Sequence, residues 1–171
     1  TQWYTLSLHD ALPILEKGMT VFPRNKDGQP ILWDYQIKGF FKDACGSLRK
    51  IKESKSSGIR AYKKEIDGLI FIEEREILIQ TKEPIESCQR PLRAQTAQGD
   101  KNSLASSEEI VAGAVMEFSI IVMSDGLVPA VKEWLSYGKL RGLGQWRNSG
   151  KGRFVCKILE ERPAEFADIL E

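Results

Sequence analysis

Histidine is nearly missing from this chain: of 171 residues only His9 carries an imidazole. Cysteine is scarce as well. Cys45, Cys88 and Cys156 are odd in number, far apart and in no metal-ligand spacing. They read as buried thiols of a reducing, cytoplasmic compartment, and no metal or cofactor is expected. No apolar run approaches the roughly 20 residues that cross a bilayer, so no membrane partner is expected either. Charge of one sign is also lacking, since 25 Lys and Arg stand against 24 Asp and Glu, for a formal net charge of +1. The chain is not a polycation, and any affinity for nucleic acid has to come from where the charges sit. Internal repeats and low-complexity tracts are missing too. What remains is 42% hydrophobic and 29% charged, the composition of a soluble globular protein of about one domain.

The opening "TQWYTLSLHDALPI" lacks the basic-then-apolar layout of a secretion signal. Its "SLHDALPI" part resembles translated sequencing-adapter read-through, so residues 1–14 are expected to be a non-native segment. That expectation also sets aside His9, and with it a Ser-His-Asp triad or a Cys-His pair.

From there "GMTVF" is a short strand candidate, and Asp27-Gly28 with Pro30 marks a turn. Ile37, Phe40, Phe41, Ala44, Cys45, Leu48 and Ile51 repeat at three-four spacing, the signature of an amphipathic helix. "ESKSSG" breaks it, and "IRAYKKEI" adds a helical turn or two before Asp67-Gly68. "LIFIEEREILIQT" predicts a strand or strand pair, and "AVMEFSIIVM" a further strand. Between them the polar residues 82–112 predict an insertion with short irregular strands. "LVPAVKEWLSYG" predicts a second amphipathic helix, with Pro129 in its first turn and Gly138 as its cap. "FVCKIL" predicts a last strand, and 161–171 an acidic tail. The order fits an α+β, ferredoxin-like (βαββαβ) sandwich over residues 15–160, its first strand missing or replaced.

"GKLRGLGQWRNSGKGRF", residues 138–154, concentrates five glycines and five basic side chains with no acid. It is not a P-loop. From Gly144 to Lys151 the spacing runs one residue too long, Gly152 stands where a hydroxyl is needed, and the order is helix to strand instead of strand to helix. A phosphodiester backbone asks for less. Lys139, Arg141, Arg147, Lys151 and Arg153 would supply cations, Gly142, Gly144, Gly150 and Gly152 close backbone approach, and Trp146 a stacking platform. The same residues also suit a solvated connection whose Trp146 plugs the core. Residues 38–64 add nine Lys and Arg against Asp43 and Glu53, and from them Lys38 and Arg49 join the expected interface. "QRPLRAQTAQG" contributes Arg90 and Arg93.

"IKGFFKDACGSL" followed by "LRGLGQWRNSGKGRF" resembles the RAMP superfamily of CRISPR-associated RNA-binding proteins, on Lys38-Gly39 and on Gly142, Gly144, Gly150 and Gly152. That resemblance implies a ferredoxin-like fold and RNA binding. The 82–112 insertion and the lack of a candidate catalytic histidine depart from the family. "ILWDYQIKGFFKDACG", "AYKKEIDGLIF", "QRPLRAQTAQG" and "LRGLGQWRNSGKGRF" also resemble proteins of phages and prophages of gut Firmicutes, which implies a genomic setting and no activity.

The expectation is a non-catalytic module that binds RNA or single-stranded DNA, with no catalytic residues. Protein subunits of a ribonucleoprotein or phage assembly are further expected partners. Two alternatives stand beside it. One is a phage structural or interaction protein, or an inhibitor of a host system, using 82–112 as its contact surface. The other is a metal-dependent nuclease built on Asp43, Asp67 or Asp100, although no paired-carboxylate spacing marks these.

Overall fold

Where the apolar stripe of the first helix runs, the chain folds around it. The computed structural model describes residues 18–96 and 99–163, so the 1–14 segment with His9 and residues 164–171 of the acidic tail lie outside the described residues. The elements are β1 (Met19–Thr20), β2 (Ile31–Trp33), α1 (Asp34–Leu48), α2 (Tyr62–Leu69), β3 (Ile70–Ile72), β4 (Glu76–Leu78), β5 (Glu86–Thr96), β6 (Gly99–Glu109), β7 (Ile120–Val122) and α3 (Val128–Tyr137). Short 3-10 turns lie at Asp125–Leu127 and Arg147–Ser149. The architecture is mixed α+β, with helices and three small sheets among the described residues.

The chain forms two compact units, one made of the residues up to Ile31 with Leu78–Met116, the other of Leu32–Ile77 with Glu117–Glu171. The first is built on a hairpin. β5 and β6 pair antiparallel from Glu86↔Glu109 to Thr96↔Gly99, and β1 lies parallel to β6 with Met19 opposite Ser106. The sheet order is β1-β6-β5, which makes β5 an edge among the described residues. That position suits Pro91, because a proline has no N–H for a ladder on both sides. The irregular short strands expected over 82–112 are thus one regular hairpin of two eleven-residue strands. Its polarity hid it, since a ladder of backbone hydrogen bonds needs no apolar alternation to form. Near it, the Glu108 carboxylate accepts from the Phe22 N–H at 2.8 Å and pairs with Arg24. Asn25 Oδ1 accepts from the N–H groups of Asp27 and Gln29 and closes the turn that the sequence marked at Gly28.

The second unit carries nearly all of the buried apolar side chains among the described residues. Ile37, Phe40, Phe41, Ala44 and Cys45 form the inner face of α1 and are buried. Leu48 is half-buried, and Ile51 falls beyond the helix and is exposed. The helix starts with the Gln36 side chain accepting from the Trp33 N–H at 2.8 Å. It ends where the Ser54 hydroxyl donates to the Leu48 carbonyl, within the segment the sequence read as a breaker. Across the core Phe41 meets Trp134 of α3 at 5.6 Å between ring centroids. The Trp134 indole N–H donates to Ser56 Oγ at 2.8 Å, and Ser56 in turn donates to Glu133. β3 and β7 pair antiparallel, Ile70 opposite Val122 and Ile72 opposite Ile120. β7 is shorter than the strand expected from "AVMEFSIIVM", of which Val115 instead forms an isolated bridge with Gln80. β2 pairs with β4, the two short strands that "LIFIEEREILIQT" and the segment before α1 supply. The last strand expected at 154–159 is not formed, and no strand pairs with those residues among the described ones. Val155, Ile158 and Leu159 are exposed there.

Candidate functional site

The 138–154 segment leaves the end of α3 and closes on itself. The Phe154 N–H donates to the Gly138 carbonyl at 3.1 Å, and the Leu143 N–H donates to the Gly152 carbonyl at 2.8 Å. These two rungs bring its ends together, as in a compact surface loop. The glycines follow from this closure. At Gly142 a Cβ would sit 2.5 Å from the Gly152 carbonyl carbon, and at Gly152 it would overlap the Leu143 carbonyl. Both also have φ near +75°, at 78° and 71°. Gly138 caps α3 as expected, in a right-handed conformation with φ −53°. Glycine is required there because the Phe154 ring occupies the space a Cβ would take. That ring in turn packs edge-on against Phe40 of α1 at 5.2 Å. Gly144 alone among the loop glycines beyond Gly138 has nothing within 4 Å of a would-be Cβ.

Inside the loop, Trp146 has φ 58° and ψ 21°, the left-handed region, and is the one described non-glycine residue with positive φ. Such a conformation costs a bulky L-residue about 1–2 kcal/mol. It is held by the Trp146 carbonyl, which accepts from the N–H groups of Ser149 at 2.9 Å and Lys151 at 3.3 Å. The Trp146 side chain is half-buried, with its indole nitrogen shielded from solvent. Only part of the ring is therefore open to a stacking base.

Asp43, on the flank of α1, organises two of the loop cations. Its Oδ2 accepts from Arg141 Nε at 2.7 Å and from Arg147 at 3.0 Å. The bond from Arg141, and then the charge of Asp43, raise the Arg141 pKa above its usual value and keep the guanidinium charged. Arg141 also donates to the Asn148 side-chain oxygen at 3.0 Å, which fixes the plane of its guanidinium. All three charged side chains remain about 30% exposed, so these are partly solvated pairs, of a kind worth about 0.2–1 kcal/mol each. Arg153 is exposed and its guanidinium lies over Gly150. Lys139 is exposed, and Lys151 half-buried.

The remaining expected interface residues sit elsewhere. Lys38 donates to the Asp67 carbonyl at 3.1 Å and lies 4.7 Å from the Phe71 ring centroid. Arg49 lies over the Tyr62 ring at 5.2 Å. Arg90 and Arg93 are on β5, in the first unit, and the Arg93 side chain is outside the described residues. The structure thus brings together the loop set, from Lys139 to Arg153, and does not add Lys38 or Arg49 to it. The loop's acidic partner was not assigned from sequence. Asp43 lies off the apolar stripe of α1, and that position is the signal that could have paired it with a basic loop. Of the aspartates considered for a nuclease, Asp43 holds two arginines, Asp67 pairs with Lys42 at 2.6 Å, and the Asp100 side chain lies outside the described residues. Among the described residues no three His, Cys, Asp or Glu side chains are grouped to hold a metal ion, and no helix is long and apolar enough to cross a membrane. Comparison with protein-family models finds no match to this chain, and no curated protein matches it either.

Proposed function

We propose that this chain is a non-catalytic nucleic-acid-binding module, taking RNA or single-stranded DNA on the closed loop 138–154. One observation carries the reading: five cations sit on a loop whose backbone is pinned at both ends, with exposed Lys139 and Arg153 on it. A pinned loop presents its charges without a large ordering cost on binding. Each phosphate neutralised releases counterions, so binding should be salt-dependent and largely indifferent to sequence. The fold we assign to the module is ferredoxin-like. In its favour is the chain order α1, β3, β7, α3 around the antiparallel β3–β7 pair of the second unit, with the shorter α2 between α1 and β3. A RAMP-like protein of phage or CRISPR-related origin, working in a bacterial cytoplasm, is the setting consistent with the resemblances above.

Fluorescence anisotropy of labelled single-stranded oligonucleotides against the full chain tests this. Lys139→Ala with Arg153→Ala should weaken binding across sequences and flatten the salt slope by about 0.7 for each phosphate that is no longer neutralised. Failure of the unaltered chain to bind any oligonucleotide at low salt ends the reading. A second reading, a phage structural or interaction protein working through 82–112, is favoured by the long β5–β6 hairpin and by Leu104, which is exposed on it.

A further inference from the structure

Two guanidinium groups that converge on one oxygen atom form the arrangement in which paired arginines hold a phosphoryl oxygen. Arg141 and Arg147 converge in this way, and the atom they share is a carboxylate oxygen of the protein itself, Asp43 Oδ2. We propose that Arg141 and Arg147 form a site for a phosphate-class oxyanion whose resident occupant is Asp43, so that a ligand phosphate enters by displacing that carboxylate. The inference rests on the nucleic-acid reading for the identity of its natural ligand, but not for the chemistry of the site.

Three features of the geometry support exchange over a fixed structural pair. Both arginines and Asp43 are about 30% exposed, so an anion reaches them from solvent and the displaced carboxylate can be hydrated. Arg141 keeps a second anchor at the Asn148 side chain, so its guanidinium retains its orientation when Asp43 turns away. Arg147 begins a short turn closed by Gly150 N–H to Arg147 C=O at 3.0 Å and by the bonds to the Trp146 carbonyl, so its backbone position does not depend on Asp43. A carboxylate on this pair lowers affinity for other anions until it is displaced. The pair is therefore self-inhibited, and the competing group sits on α1 instead of on the loop.

The test compares the full chain with Asp43→Asn, using inorganic phosphate and a labelled single-stranded oligonucleotide as separate probes. Phosphate should shift the arginine Nε–H resonances of Arg141 and Arg147 in Asp43→Asn at concentrations at least tenfold lower than in the unaltered chain. Arg141→Lys in the same background should abolish that response. Oligonucleotide affinity should rise in Asp43→Asn, with a steeper salt slope. If Asp43→Asn melts too early to study, Asp43→Ser replaces it, keeping an acceptor without the charge. Equal phosphate response in both proteins, or none in Asp43→Asn, overturns the site. Oligonucleotide binding that is strong and identical in the two proteins, with no phosphate discrimination, removes this inference and leaves the nucleic-acid reading intact. A phosphate response confined to Asp43→Asn with no oligonucleotide binding to either protein sustains the site and removes nucleic acid as its ligand.

Discussion

Single atoms decide much of the loop and of the core beneath it. Gly152→Ala would place a methyl against the Leu143 carbonyl oxygen in a left-handed backbone, so the closing rung must open. Gly144→Ala has the same φ burden, 75°, but nothing within 4 Å. Thermal melts should therefore show Gly144→Ala losing about 1 kcal/mol and Gly152→Ala clearly more. In the core, Ser56→Ala would leave the fully buried Trp134 indole N–H without its acceptor, an expected loss of about 1–3 kcal/mol by denaturant titration. Cys45 offers a pH signature. Burial raises its thiol above the ordinary value of 9.0, more than the hydrogen bond with Ser56 lowers it. Below pH 9 folded and unfolded chains both keep the proton, and the thiol adds no pH dependence. As pH climbs past 9 the unfolded thiol ionises first, so stability should fall, and Cys45→Ala should remove that part of the slope.

At the scale of elements, legibility followed the apolar signal. The stripe Ile37, Phe40, Phe41, Ala44 and Cys45 was readable because each position meets the core of one helix. The Pro129 start of α3 was readable because proline fits a first turn. The β5–β6 hairpin was not, because its residues are mostly polar and its register is fixed by backbone pairing. The end of α3 was readable at Gly138, which is its cap, but the reason for glycine there was not, since it answers to the Phe154 ring sixteen residues on. At the candidate site the cations were legible as a run, whereas Asp43 was not, since its pairing spans ninety-eight residues to Arg141. The closure of the loop makes its own prediction. Phe154→Ala removes the ring that packs on Phe40 and fills the space at Gly138, so backbone amides from 138 to 153 should lose hydrogen-exchange protection before those of α1 do.

Across the whole molecule, near-neutral charge conceals local imbalance. A net +1 gives no hint that 139–153 holds five cations and no acid. The two units also differ in what holds them. The second has a buried apolar core, whereas the first relies on a ladder and on Glu108 with its partners. Glu86 and Glu109 stand opposite each other at the base of the hairpin, so a two-residue Asn-Gly turn can bridge them once 87–108 are removed. That shortened chain should keep the core of the second unit and, under the reading proposed above, its oligonucleotide affinity. Loss of affinity on shortening would shift the functional surface to the hairpin.

The outer margin of that hairpin has a consequence for concentrated solutions. Proline carries no N–H, so Pro91, at the midpoint of β5, offers no donor to a further strand. A second molecule trying to extend the ladder there would meet a gap where its carbonyl needs a hydrogen. Fibre growth by lateral pairing along β5 should therefore be disfavoured at residue 91.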